Sequence, residues 1–468
     1  MGTIWIREFT GGLEARRLPE TTPGGVLIKG IDGHINRGGE FEQRARFVKA
    51  FTLPPGTKGL AATVEGLVVF GSEVAPSGLP ASVTYQQIAG ASAAGIADVL
   101  SWDLFAGKIA VAAKYADGTV CDFYDGARIS TWPAGAPFAT FLKTIQRKVY
   151  GAAGPNLVFS AVSDPMNFEG GVGAGFIDMS TQATGAEVLT AIAQYQNYIA
   201  VFAGRTIQLE YVDPDPALNR LVQVLNNTGA IARRSVTQFG DNDVFYLDES
   251  GIRSLRARES INVAFSSDTG NPIDDLVIAR LEAMTEEQRA RAISIIEPRY
   301  GRLWMALGDL IFVFSYFTGS KVSAWTTYQP GFNVDDMVVF NRRVYLRSGD
   351  DVYVYGGLGE ALDYTGVEAE AWLPYLDAGK PTQKKAWQGV DAALRGTWEI
   401  SAGMSPTNEA ASDKLAAVAA TTFEGLRVGA IGESTHISLR FRCVQPPAAG
   451  PAKLSSAVVH HNLNDNED

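Results

Sequence analysis

The chain has 468 residues, 46% hydrophobic and 19% charged, a composition that folds and a length that suggests a large repeat domain plus a smaller one. Its 49 glycines suit many turns and argue against a helical protein, while a net charge of −11 argues against a general nucleic-acid-binding surface. Two cysteines, Cys121 and Cys443, make neither a disulfide framework nor a zinc site by themselves and read as buried thiols.

Residues 1–45 read as an irregular N-terminal arm. Leu18-Pro-Glu-Thr-Thr-Pro-Gly-Gly25 is turn-rich, 26–31 is a short strand, and Ile35-Asn-Arg-Gly-Gly-Glu-Phe41 turns into a second one. Met1-Gly-Thr-Ile-Trp-Ile-Arg7 has no basic start before a long apolar region, so no signal peptide is expected, and Ile6 stands where myristoylation wants Ser or Thr. No apolar run reaches the roughly 18 residues of a membrane helix, so no membrane partner is expected.

Hairpins follow one another from residue 46. Residues 66–71 form one apolar strand. Residues 108–115 pass through Ala116-Asp-Gly118 into 119–124, a hairpin with an Asp-Gly turn. Further strand–turn–strand units lie at 197–210, 243–255 and 302–326. The clearest is 341–357, where Val344 and Leu346, then Val352 and Val354, alternate with polar neighbours around Ser348-Gly-Asp-Asp351. Spacings of roughly 40–60 residues are those of four-stranded propeller blades, and a closed ring leaves few exposed edges. An all-β chain with a β-propeller of five to seven blades over residues 46–358 is therefore expected.

One helical insertion interrupts the repeat at 272–291. Ile273, Leu276, Val277 and Leu281 recur at helical spacing behind Pro272, and Thr285-Glu-Glu-Gln288 reads as a capping box. The alternation resumes at 365–373, 397–401 and 435–443, so residues 359–460 read as a β-sandwich-like domain. Residues 461–468 read as a flexible acidic tail.

Candidate chemistry is sparse. Gly38-Gly-Glu-Phe41 resembles the diguanylate cyclase signature but lacks its second acid, so a tight turn is expected. Gly170-Gly-Val-Gly-Ala-Gly175 breaks the nucleotide-loop spacing and reads as a flexible loop. Asp213-Pro-Asp-Pro216 and Asp241-Asn-Asp243 lack the glycine and bidentate Glu of a calcium loop and read as turns. His34, His436, His460 and His461 have no metal spacing; the adjacent last two face opposite sides of a strand. Trp304, Phe312, Trp325, Tyr345, Tyr353 and Tyr355 fit blade packing better than a sugar groove. No catalytic, cofactor-binding or metal residue is assigned, and a non-enzymatic protein without cofactor is expected.

Four stretches carry a family likeness. They are 18–25 with Ile35-Asn-Arg-Gly-Gly-Glu-Phe-Glu-Gln-Arg44; Leu157-Val-Phe-Ser-Ala-Val-Ser-Asp-Pro-Met-Asn-Phe168; the block 238–271 with helix 272–284; and Trp372-Leu-Pro-Tyr-Leu-Asp-Ala-Gly379 followed by Lys384-Lys385. Together they resemble the tail nozzle, or tail tubular, proteins of short-tailed bacteriophages. Residues 74–107, rich in Ala, Gly and Ser, have no match in that pattern. The resemblance implies a structural virion protein assembled in the host cytoplasm as a homo-oligomeric ring, a hexamer, with residues 1–45 against the head-to-tail adaptor ring. It implies tail fibres or a needle as further neighbours, and packaged double-stranded DNA held back and then passed through the channel without sequence specificity. The acidic charge fits sliding rather than gripping. The competing expectations are a carbohydrate-binding or carbohydrate-degrading propeller and a cellular scaffold.

Overall fold

In the computed structural model, the described residues are 2–71, 80–87, 95–118, 120–124, 129–131, 138–181, 187–257, 268–423, 428–429 and 431–463. They form an all-β molecule in which a seven-bladed propeller is joined to a β-sandwich. Blade one holds Thr57–Ala62, Leu67–Gly71 and Val83–Gln87, the last strand running parallel to its neighbour. Blade two holds Ile96–Phe105, Lys108–Tyr115, Val120–Tyr124 and Ile129–Thr131, and blade three Phe141–Ile145, Lys148–Ala153, Asn156–Phe159 and Gly175–Asp178. Blade four holds Leu189–Tyr195, Tyr198–Ala203, Thr206–Tyr211 and Arg220–Asn226, and blade five only Thr237–Phe239, Asp243–Asp248 and Gly251–Ser254. Blade six holds Ile293–Glu297, Arg302–Leu307, Leu310–Phe317 and Val322–Tyr328. In blade seven Asp336–Phe340, Arg343–Ser348 and Asp351–Tyr355 take their outer strand, Phe47–Thr52, from the other end of the repeat.

The first strand of each blade touches the first strand of the next, and that of blade seven touches that of blade one, so the ring closes. The blade interfaces are apolar: Leu53, Leu60 and Val69 meet Val338, Val352 and Val354, and Phe159 meets Ala191 and Ile192. The alternation read at 341–357 is realised as expected, with Leu346 opposite Tyr353 and Arg347 opposite Val352. Gly349, at φ 56° in its turn, takes the left-handed conformation that a side chain would resist. The unmatched stretch 74–107 supplies the outer strand of blade one and the inner strand of blade two; its residues 74–79 and 88–94 lie outside the described ones.

The insertion is helical as read. α1, Asp274–Glu282, buries Val277 and Leu281, and α2, Glu286–Ala290, opens on the capping box formed by Thr285 and Gln288. α1 packs on Gly251–Ser254, the outermost of the three strands of blade five among the described residues. Arg253, 2% exposed, fastens it there through both carboxylate oxygens of Asp274 (2.7 and 3.1 Å). An acid in the first helical turn also complements the helix dipole.

The expectation of an N-terminal arm is corrected. Gly2–Ile6 pairs antiparallel with Lys453–Leu463, while Gly33–Ile35 and Phe41–Gln43 extend the same six-stranded sheet. Lys29–Ile31 lies between Val322–Tyr328 of blade six and Glu370–Trp372 of the sandwich, so blade six and the facing sandwich sheet are one eleven-stranded sheet. The sequence marks a short strand at 26–31 and a turn at 35–41 but leaves the rest irregular, because the partners are distant: Gly2–Ile6 and Phe41–Gln43 pair with Lys453–Leu463 more than 400 positions off, and Lys29–Ile31 pairs with Thr327 and Glu370–Trp372. The tail boundary also moves: His461 and Leu463 are the end of a strand, held against Trp387 and Lys385, and only 464–468 lie outside the described residues.

Candidate functional site

Three polar constellations stand out from this frame. The first sits at one mouth of the propeller axis, where the innermost strands begin. Arg234 pairs with Asp336 and donates to the Asp335 carbonyl (3.0 Å). Arg347 pairs with the same Asp336 and reaches the carbonyls of Thr57 and Lys58 (both 3.4 Å). Arg233 extends to the Thr140 carbonyl (3.4 Å), where burial draws its guanidinium down against the pull of Asp98. Blades one, three and seven and the segment leading into blade five are thus cross-linked at the mouth. Each cation has an acid or carbonyl partner, so the cluster fixes the geometry of the mouth.

The second constellation ties the sandwich to the ring. Lys453 bridges Glu40 (3.3 Å) and Glu42 (3.1 Å), Glu42 meets His34 Nε2 (3.3 Å), and His34 Nδ1 meets the Tyr328 hydroxyl of blade six (2.7 Å). A carboxylate only accepts, so Nε2 carries the proton and Nδ1 accepts from Tyr328. Burial, with Arg302 nearby, pushes the His34 imidazolium down to about 4 despite Glu42. Burial alone would raise Glu42, but His34, Asn36 and Lys453 outweigh it and hold the carboxyl well below its usual range. Gly38-Gly-Glu-Phe41 is part of this array as a tight turn, with the Asn36 side-chain oxygen accepting from the Gly38 amide (2.8 Å).

The third is a cleft of about 530 Å³ between blades five and six, on the face that carries the turn from first to second strand. Its floor is aromatic. Phe245 and Phe314 are buried with ring centroids 5.5 Å apart, and Phe314 lies nearly parallel to Tyr316 (5.9 Å, 18°). Phe239 stands across Tyr316 at 65° and 6.3 Å. Along Leu310–Phe317 the period of two carries Phe312, Phe314 and Tyr316 on one face, from full burial to 44% exposure. Asp241, Asn242 and Arg256 are exposed at the rim. Asp243 is turned inward, taking the Ser254 hydroxyl (2.7 and 2.9 Å) and the amides of Val244 and Arg256 (2.7 and 3.1 Å), and burial raises its carboxyl above the usual value.

The remaining sequence candidates fall elsewhere. Lys148, 2% exposed, gathers two of them, donating to the carbonyls of Gly173 (2.8 Å), Pro214 (3.2 Å) and Asp213 (3.4 Å). The glycine-rich run, expected as a flexible loop, is therefore pinned to Asp213-Pro-Asp-Pro216 across the blade interface. Gly173 leaves no room for a side chain there, since an added Cβ would lie 2.7 Å from the Pro214 oxygen. Asp215 caps the 3-10 turn that follows it, accepting from Ala217 N (3.0 Å). His460 bonds Asp391 (2.7 Å) while His461 faces Trp387, and His436 meets Thr435 (2.9 Å). Trp304, Phe312, Trp325, Tyr345 and Tyr355 are buried in blade packing, and Tyr353 stacks on Phe332 at 3.9 Å. Cys443 is buried and its thiol is pushed up to about 12 by that burial; the Cys121 side chain lies outside the described residues. Among the described residues no group of three or more His, Cys, Asp or Glu could hold a metal ion, and no helix is long and apolar enough to cross a membrane. The cleft rings Phe239, Phe314 and Tyr316 were missed in the sequence; the alternation at 310–317 that buries Phe312 was the signal that could have found two of them.

No protein-family model matches the chain, and no curated protein matches it either. Among solved structures it is similar to the computationally designed Ika8 protein, at 12% identity and a TM-score of 0.38 over 66% of this chain and 99% of that one. It is similar to BamB from Moraxella catarrhalis, at 12% identity and a TM-score of 0.37 over 67% and 97%. The WD40 domain of Neurospora crassa Pan2 matches at 9% identity and 0.36 over 68% and 91%. The propeller assignment rests on the sheet pairing and ring closure above.

Proposed function

We propose that this chain is a non-catalytic structural virion protein of the tail-nozzle kind, a subunit of a ring below the portal and its adaptor in a short-tailed bacteriophage. The observation that carries the reading is the shared eleven-stranded sheet, which makes one face of the sandwich, the segment 12–31 and the sixth blade one continuous body, with both ends of the chain paired in the sandwich's other sheet. A ring subunit that withstands the pressure of packaged DNA needs such continuity. The resemblance at 18–44, 157–168, 238–284 and 372–385 supplies the identity of the ring. On this reading DNA passes between copies, along the axis of a hexamer, and the Arg–Asp pairs across the propeller mouth favour that path over one through a single propeller. An acidic subunit, at −11 per chain, suits a channel wall along which phosphates slide.

Particles assembled without this chain test the proposal. They should package DNA and then lose it, and supplying the purified protein should restore retention. Particles that keep their DNA without it would overturn the reading.

A further inference from the structure

We propose that the cleft between blades five and six is a binding site for a neutral saccharide. The inference goes beyond the ring function and does not depend on it.

Two features set the chemistry. Phe239 and Tyr316 meet at 65° and make an apolar corner whose Tyr316 wall is 44% exposed, over a floor closed by Phe245 and Phe314. Around this corner Asp241, Asn242 and Arg256 offer a carboxylate, an amide and a guanidinium within one rim. The ligand that satisfies both has a flat C–H face and an edge of hydroxyls, which is a pyranose ring. Its apolar face lies on Tyr316, and its hydroxyls donate to Asp241, exchange hydrogen bonds with Asn242 and accept from Arg256.

Charge narrows the class. Among the described lining residues Arg256 faces two carboxylates, Asp241 and Asp243, which leaves no net cation to attract a phosphate or sulfate, and the guanidinium on the rim opposes a quaternary ammonium that the rings alone would welcome. The volume of about 530 Å³ lies within the ordinary range of small-ligand pockets and accommodates a short saccharide. Asp243 has its oxygens engaged by Ser254, Val244 and Arg256 N, so it shapes the wall instead of acting as an acid or base. Binding without cleavage is the consequence.

The test uses the full chain on an array of neutral and acidic oligosaccharides built on glucose, mannose, galactose and N-acetylglucosamine. The strongest neutral binder is then titrated by calorimetry beside inorganic phosphate and tetramethylammonium. The expected result is weak binding of a neutral glycan that falls at least about tenfold in Tyr316→Ala and in Asn242→Ala. Both positions are exposed, so the melting temperature should hold. Trp5→Ala, at a ring 55% exposed in the sandwich, should bind as the parent does. Absence of any glycan binding overturns the proposal. So does binding that survives Tyr316→Ala, or binding of phosphate or tetramethylammonium in place of a neutral glycan. None of these outcomes bears on whether the chain forms a ring.

Discussion

The blades and the sandwich are put together in opposite ways. Each of blades one to six is a run of strands consecutive in the chain, most of them joined by short turns, while the sandwich draws its two sheets from residues 2–43 and 370–463. The first kind of structure pays little loop-closure entropy; the second depends on bringing the two ends of the chain together. Blade seven stands between them, closed by Phe47–Thr52 on Asp351–Tyr355. The lesson is that the N-terminal segment is the seam of the whole molecule. It edges the sandwich, bridges that domain to blade six, and then locks the ring.

Three perturbations sharpen this contrast. The largest effect is expected from deleting residues 2–45. That removes two of the three partners of Lys453–Leu463 and the bridging strand Lys29–Ile31, so the sandwich should melt separately or fail to fold. Two calorimetric transitions, or insoluble protein, would be seen where the parent gives one. A single unchanged transition would break the comparison. Next is Arg253→Ala, a local injury to blade five. It leaves Asp274 without its partner and Asp268 buried, and should cost roughly 3–5 kcal/mol in denaturant unfolding. A loss below about 1 kcal/mol would mean that α1 is held by its apolar face alone.

The smallest effects are opposed in pH. His34, at the seam, titrates near 4 when folded and near 6.5 when unfolded, so its contribution is present above pH 6.5 and is lost as pH falls towards 4. Glu210, 2% exposed in blade four, is raised by burial to about 7, so stability is full below pH 4.5 and falls as pH rises through 7. Each shift corresponds to about 3 kcal/mol. His34→Gln should flatten the acid limb, and Glu210→Gln should raise the melting temperature at pH 8.5 while leaving it unchanged at pH 4. Parallel behaviour of the two variants across that range would refute the assignment of acid sensitivity to the seam and alkaline sensitivity to the ring.

The same contrast explains what was legible in the sequence. Hairpins at 197–210, 302–315 and 341–357 announce themselves through period-two alternation around Gly and Asp turns, and the capping box at Thr285 marks its helix directly. Inner strands escape the pattern for two reasons: bulges break the alternation of Ile96–Phe105, and alanines blur it in the largely buried Leu189–Tyr195. Residues 1–45 look irregular because pieces of two to five residues carry too little period. Their order comes from partners elsewhere in the chain. The cleft was hidden for a related reason: Tyr316 and Phe239 belong to different blades, and only the packing of blade five on blade six brings them edge to face.

The proposal that the chain is a ring subunit is tested most directly by electron microscopy of the purified protein mixed with its adaptor. Closed six-fold rings, with each propeller beside and not around the central channel, are the predicted result. Monomers alone, at concentrations where the adaptor is itself assembled, would contradict it.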